Sequence, residues 1–301
     1  MSIGVLVMAY GTPSSREAIE PYYTRIRHGR PPTPELLHEL TDRYQQIGGT
    51  SPLAARTADQ VSALAARLEE RHPGLFDVRF ASKYEPPMIE DIAPGFAADG
   101  ITRVIGLVLA PHSSSMSTDQ YFERARASLG DTVEFLPVDS WWDREDFVEV
   151  MADRVSRALA SLPADAAEMA EVVFSAHSLP IKILEKGDTY PDQIRESARR
   201  VAESLGLARW DTAWQSAGRT ADPWLGPDIL EVLRTKRESG VSHLVSCPIG
   251  FVSDHLEVLF DIDIQAAELA REIDLHLVRT ASLNDATDFI DVLARVVEER
   301  A

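Results

Sequence analysis

The strongest constraint on what this chain can fold into is a regular alternation of short, β-branched apolar runs with longer amphipathic stretches. Runs at Ile3–Ala9, Val78–Ser82, Val104–Ala110, Val133–Val138, Val172–Ala176, Thr212–Gln215, Leu244–Ile249 and Leu275–Arg279 read as strands, because short continuous apolar runs suit strands buried on both faces. Between most of them, Ser51–Arg71, Met88–Ala98, Asp119–Leu129, Asp143–Ala160, Pro191–Leu205, Pro227–Glu238 and Asn284–Arg300 carry the apolar spacing of helices. Strand and helix in turn is the pattern of parallel sheets wound on both faces, so the fold class is α/β. Ala160–Glu171, rich in Ala, Asp and Glu, reads as a surface connection.

A chain of 301 residues exceeds the roughly 100–200 residues of one domain. Two Rossmann-like domains are therefore expected, residues 1–140 and 141–301, with the last helix free to pack back on the first. The halves also resemble one another. Val5-Leu-Val-Met-Ala-Tyr10-Gly-Thr-Pro13 parallels Val172-Val-Phe-Ser-Ala-His177-Ser-Leu-Pro180, each a strand running into Ala, a polar ring, two residues and Pro. Leu109-Ala-Pro-His112-Ser-Ser-Ser parallels Ser246-Cys-Pro248-Ile-Gly-Phe-Val-Ser-Asp254-His255 in the same way. Ligands of open parallel sheets bind beyond the carboxyl ends of the strands. Two such domains face to face would put Tyr10 and His177 on opposite walls of one cleft, a phenol and an imidazole flanking a flat ligand.

Composition narrows the partners. The formal charge of −18 opposes a nucleic-acid backbone, whose binding depends on Lys and Arg neutralising phosphates. No apolar stretch approaches the roughly 20 residues of a membrane span, and Met1–Tyr10 has neither basic flank nor cleavage site, so a cytoplasmic protein is expected. Cys247, the one cysteine, can form neither an internal disulfide nor a four-thiolate cluster.

A lone histidine where a strand meets a turn, as in Ser175-Ala-His177-Ser-Leu-Pro180, is ordinarily a hydrogen-bonded core residue. A second cluster changes that reading. Ser253-Asp-His-Leu-Glu257-Val-Leu-Phe-Asp261 looks like a helix start capped by Ser253 or Asp254, with Glu257, Asp261 and Glu268 spaced to line one face. Like charges at that spacing repel and favour a cation or a proton between them. Histidine with carboxylates suits a first-row transition metal, and the absence of HExxH or paired CxxC argues against a closed zinc site. On the other wall, Tyr22-Tyr-Thr-Arg25-Ile-Arg27-His28-Gly-Arg30 reads as a basic loop, followed by Asp42-Arg43-Tyr44 and Gly48-Gly-Thr-Ser51. Arg beside Tyr and Ser grips a planar, anionic, partly apolar ligand.

At these residues the chain resembles the ferrochelatase family over nearly its whole length, most of all the short bacterial coproporphyrin members. The motifs are Met8-Ala-Tyr-Gly-Thr-Pro13, Gly48-Gly-Thr-Ser-Pro-Leu53, Ser175-Ala-His-Ser-Leu-Pro180, Tyr190-Pro-Asp-Gln193, Trp214-Gln-Ser216, Asp222-Pro-Trp-Leu-Gly-Pro227 and Asp254-His-Leu-Glu-Val-Leu-Phe-Asp261. The resemblance implies a chelatase-like fold of two domains with parallel four-stranded sheets facing across a porphyrin cleft. It implies His177 and Glu257 as the pair that binds Fe2+ and handles protons, Tyr10 approaching from the other face, and Arg27, Arg43, Tyr44, Ser51 and Tyr121 contacting the macrocycle and its propionates. The implied activity is insertion of Fe2+ into coproporphyrin III in haem biosynthesis, with porphyrin and Fe2+ as substrates, no organic cofactor, no 2Fe–2S cluster, no membrane span, and a monomer. Two positions depart from the family pattern: His28 stands where a second Arg often follows Arg27, and Gln265 where relatives carry an acid. A protoporphyrin IX ferrochelatase, a cobalt or nickel chelatase and a non-catalytic tetrapyrrole carrier are the alternatives.

Overall fold

A computed structural model describes residues 2–220 and 222–301. Eight strands form two separate parallel sheets. In chain order the first half runs β1 (Ile3–Ala9), α1 (Ile19–Ile26), α2 (Pro34–Gln46), α3 (Leu53–Arg71), β2 (Phe76–Ser82), α4 (Ile89–Ala98), β3 (Arg103–Val108), α5 (Thr118–Leu129) and β4 (Glu134–Val138). The second runs α6 (Glu145–Ala160), α7 (Ala164–Met169), β5 (Glu171–His177), a 3-10 segment (Ile181–Lys186), α8 (Tyr190–Ser204), β6 (Trp210–Gln215), α9 (Ile229–Glu238), β7 (His243–Cys247), α10 (Leu256–Val258), a π-helical segment (Leu259–Ala266), α11 (Ala267–Glu272), β8 (His276–Arg279) and α12 (Thr287–Glu298). The sheet orders are β2-β1-β3-β4 and β6-β5-β7-β8, the same winding twice.

Each sheet is built around its first strand. Val5 pairs in parallel with Val78 and Ile105, and Phe174 with Thr212 and Cys247. Every residue of β1 is buried, and alternate side chains serve opposite faces. Val5 and Val7 join a cluster with Leu64 and Leu68 of α3, while Leu6 and Met8 pack with Phe96 of α4 and Phe122 of α5. The first of these clusters continues into the other half through Phe147, Val172, Phe174, Ile194 and Val201, so one core spans both sheets.

That shared core is closed by α12, whose Phe289, Val292, Leu293 and Val297 are fully buried. Burying each such side chain is worth about 1.5–3 kcal/mol. Arg71 of α3 binds Asp291 at 2.5 Å and Glu298 at 3.3 Å, so α12 is also tied to the first half by charge.

Three expectations from the sequence change. The basic stretch around Arg25 and Arg43 is helical: α1 and α2 carry it, and Thr33, followed by Pro34, caps α2 by accepting from the Leu36 N–H. The segment 160–171 contains the short helix α7. The carboxylate line over 257–268 does not hold its α register, because the π winding of 259–266 adds a residue per turn. Glu268 is exposed while Asp261 is buried. No described helix is long and apolar enough to cross a membrane.

Candidate active site

The side chains with chemistry stand where strands end. His177 is the last residue of β5, Tyr10 follows β1, Ser216 follows β6, and the turn after β7 leads to Glu257. That turn lies close against β5: a Cβ added at Gly250 would meet the Ala176 Cβ at 2.6 Å, and the Gly250 N–H donates to the Ser175 carbonyl at 3.2 Å. Only glycine allows this approach.

Gln215 aligns the two partners. Ser175 Oγ donates to its amide oxygen at 2.9 Å, and its amide nitrogen donates to the Glu257 carbonyl at 3.0 Å. His177 Nδ1 donates to the Ser178 carbonyl, which leaves Nε2 facing Glu257 Oε1 at 3.5 Å. The other Glu257 oxygen lies 3.5 Å from Nε2 of His255, whose Nδ1 is bound to the Ser253 carbonyl at 2.9 Å. Thus one carboxylate stands between two imidazoles. Burial alone would lower His177, but Glu257 outweighs it, helped by the Ser178 carbonyl and Asp261, and raises it to about 9. Burial would raise Glu257, and His177 and His255 instead hold it well below the usual carboxylate range. Both side chains keep about a third of their surface open to the cleft, 34% and 33%, so water screens their attraction. At neutral pH the substrate-free imidazole therefore carries a proton.

Tyr10 is 42% exposed at the floor of the facing wall, its ring 4.8 Å from Tyr84 and 6.5 Å from Tyr22. Crowding by protein, neighbouring phenols and the Glu257 charge push its pKa up. Glu257 contributes likewise to raising Tyr22 and Tyr44. Tyr44 is buried, its hydroxyl 3.3 Å from Thr12 Oγ1. Ser51 is buried and caps the following turn by accepting from the Leu53 N–H at 3.2 Å. Tyr121 is buried on α5 beneath the Lys83 ammonium, 4.7 Å from its ring.

The arginines divide. Arg25 is committed to the Tyr84 carbonyl at 2.6 Å and to the Glu85 carboxylate, so it serves the wall itself. Arg27 ends α1 with its guanidinium over the Tyr23 ring at 5.7 Å and its buried Nε without a partner among the described residues. His28 is exposed in the left-handed region, φ 54°, where it ends the helix. Arg43 reaches Glu39 at 2.9 Å and Asp261 at 3.9 Å. Asp261 also accepts from Ser216 Oγ; burial raises it to about 6. Gln265 lines a small cavity of about 130 Å³ with Arg43, Asp228 and Asp261.

Two residues beside His177 escape a sequence reading. His255 touches Glu257, and Trp224 stands 6.5 Å from the His177 ring. The Asp254-His255-Leu-Glu257 spacing was the available signal for the first, and its place in Asp222-Pro-Trp-Leu-Gly-Pro227 for the second. His255, not Ser253 or Asp254, occupies the cap position of α10, and Asp254 is instead held by Ser282 and Asn284. Among the described residues no three His, Cys, Asp or Glu converge to hold a resident metal. His177 and Glu257 offer two donors and an open side, which suits an ion in transit.

Two parallel sheets of identical winding facing across a cleft, with an imidazole–carboxylate pair at one floor and a phenol at the other, define a chelatase-like α/β protein. The solved structures of SirB from Bacillus subtilis with Fe3+ (TM-score 0.62, 14% identity, covering 100% of this chain and 96% of that one) and of CbiX (TM-score 0.58, 13% identity, 99% of each) share the fold. The chain belongs to the ferrochelatase family, whose model it matches over residues 2–301. It is 45% identical over 300 residues to the coproporphyrin III ferrochelatase of Bacillus subtilis, covering 98% of this chain and 96% of that protein. It is 43% identical over 296 residues to a ferrochelatase of Herpetosiphon aurantiacus, covering 97% of each.

Proposed function

We propose that this protein is a metal chelatase, a lyase that inserts Fe2+ into coproporphyrin III in haem biosynthesis, releasing the two pyrrole protons. The observation that carries the reading is the His177–Glu257 pair, 3.5 Å apart, with Tyr10 on the opposing wall. The substrate follows the relatives that bear the name coproporphyrin III ferrochelatase over nearly this whole length.

Arg27, Arg43, Tyr44, Ser51 and Tyr121 bind the macrocycle and its propionates, and this remote binding bends the ring so that its nitrogen lone pairs become accessible. Fe2+ meets the ring at His177 Nε2 and Glu257. Because the substrate-free pair holds a proton at neutral pH, metal binding there releases one. The pyrrole protons leave along Glu257 towards His255, whose ring faces the far carboxylate oxygen. Tyr10 closes the other face of the macrocycle. No organic cofactor enters this scheme, and the single cysteine supplies one thiolate, too few for a 2Fe–2S cluster. The protein acts in the cytoplasm as a monomer, with its domains meeting near residue 140.

Anaerobic protein mixed with Fe2+ and either coproporphyrin III or protoporphyrin IX, followed by the loss of free porphyrin absorbance, tests this. Insertion into coproporphyrin alone, abolished in His177→Ala, is the expected result. Insertion into protoporphyrin would reassign the substrate, and tight binding without insertion would make the protein a carrier.

A further inference from the structure

Two sequence motifs remain unused by the site, His112-Ser-Ser-Ser after β3 and Tyr190-Pro-Asp-Gln193 opening α8. The fold brings them together across the seam between the halves. Asp188 Oδ2 accepts from Ser114 Oγ, from the Ser115 N–H and from Ser115 Oγ, each at 2.8 Å, while its Oδ1 accepts from the Tyr190 N–H at 3.0 Å. Gln193 completes the seam: its amide oxygen accepts from the Ser113 N–H at 2.9 Å and its nitrogen donates to Ser113 Oγ at 3.0 Å.

Each side of this joint leads to the site. On the first half, the Ser114 N–H donates to Thr118 Oγ1 at 3.0 Å, which fixes the start of α5 one turn before Tyr121. On the second, Tyr190 donates its hydroxyl to the His177 carbonyl at 3.1 Å. The Tyr190 ring is buried, perpendicular to the His112 ring and with its centroid 5.7 Å from Trp214, so the hydroxyl cannot swing away without disturbing the core.

We infer that Asp188 is a positioning residue for metal insertion, a single carboxylate that fixes the macrocycle wall carrying Tyr121 relative to the imidazole of His177, acting through Ser114 on one side and Tyr190 on the other. The inference rests on the metal-insertion reading above. A carboxylate is required because all four donors aim at it. Asp188→Asn turns one N–H2 against a donor whichever way the amide is rotated, against Ser115 in one orientation and against the Tyr190 N–H in the other. Tyr190→Phe removes only the link to His177 and leaves Asp188 and its seam whole.

The test measures kcat for Fe2+ insertion into coproporphyrin III and, separately, porphyrin affinity by fluorescence, on Asp188→Asn, Tyr190→Phe and the double variant, each checked for native folding by its melting curve. Each single substitution is expected to lower kcat about tenfold, as loss of a hydrogen bond to a charged or buried group does, with porphyrin affinity held within about threefold. The double variant is expected to be no slower than Asp188→Asn, because both act on one path. A role in stability alone would lower the melting temperature and leave kcat per folded molecule unchanged, which overturns the inference, as do effects on kcat that multiply in the double variant. Should Asp188→Asn fail to fold, Tyr190→Phe decides alone: unaltered kcat refutes the path to His177. Wild-type protein in the same assay keeps the two readings apart, since its failure to insert iron removes the proposed function, whereas equal insertion by wild type and variants removes only the role of Asp188.

Discussion

Nη1 of Arg43, on one wall of the cleft, stands 3.9 Å from Oδ1 of Asp261 on the other, with the guanidinium 4.9 Å over the Phe260 ring. The pair belongs to a ladder of alternating charge, because Glu39 accepts from Arg43 at 2.9 Å and from Arg219 at 2.6 Å. Asp261 is raised to about 6 chiefly by burial and further by Glu257, with Ser216 and Arg43 pulling the other way. Arg43→Gln is therefore expected to move the Asp261 carboxyl above that value, read by carbon NMR titration of labelled aspartate. An unmoved Asp261 would mean that water already screens the pair.

The His177–Glu257 pair sets a second expectation. His177 is raised from 6.5 to about 9, so its contribution to stability is fully present below pH 6.5 and is lost as pH rises through about 9. Glu257→Gln removes the charge that opposes burial, so His177 should titrate near or below 6.5, the stability slope between those two pH values should flatten, and iron insertion should cease. Proton NMR of the imidazole resonances and melting curves across that range measure the first two. A His177 that still titrates near 9 in the variant would show that Glu257 is not what holds its proton.

His112 carries a different pH signature. It is 2% exposed, its ring lies 6.3 Å from Trp142, and neither ring nitrogen has a partner among the described residues. Burial lowers it to about 3. The unfolded chain then binds a proton near pH 6.5 that the folded one refuses, so stability falls as pH drops from 6.5 to about 3, by on the order of 5 kcal/mol over the full window. His112→Phe keeps the stacked ring and should lose that part of the acid slope in denaturant titrations at stepped pH. An unchanged slope would assign it to the carboxylates instead.

Gly250→Ala tests the packing beneath His177 and Glu257. A methyl group 2.6 Å from the Ala176 Cβ has to push the turn off β5, and overpacking of this kind costs roughly 1–3 kcal/mol. The turn leads to His255 and Glu257, so insertion activity should fall further than the loss of folded protein explains. A melting temperature and kcat equal to wild type would show that the turn yields freely.

Much of this was legible from residue patterns. The eight apolar runs became the eight strands, since a strand buried on both faces leaves an unbroken apolar signature, and the matched ends at Tyr10 and His177 pointed to opposite walls. The helices around Arg25 and Arg43 were harder to see. Glycine, proline and charge around His28-Gly29-Arg30-Pro-Pro masked two short helices whose apolar faces are narrow. Arg25 illustrates a further limit. Its composition fits a ligand grip, and only the fold shows that Tyr84 and Glu85 already hold it. The α7 turn in 164–169 has little periodic apolar content to announce it.

The π winding of 259–266 acts as a gear between two demands on one helix. Its C-terminal portion must present Ile262, Ala266 and Leu269 to the second sheet, and the residues ahead of it must present Glu257 to the cleft. Were the same residues wound as an ordinary α-helix, the residue that the π winding absorbs would be spread along the axis and turn everything before it by about 100°. The core would be satisfied and the carboxylate would point away from His177. The winding of this segment is thus as much a determinant of the site as the identity of its acids.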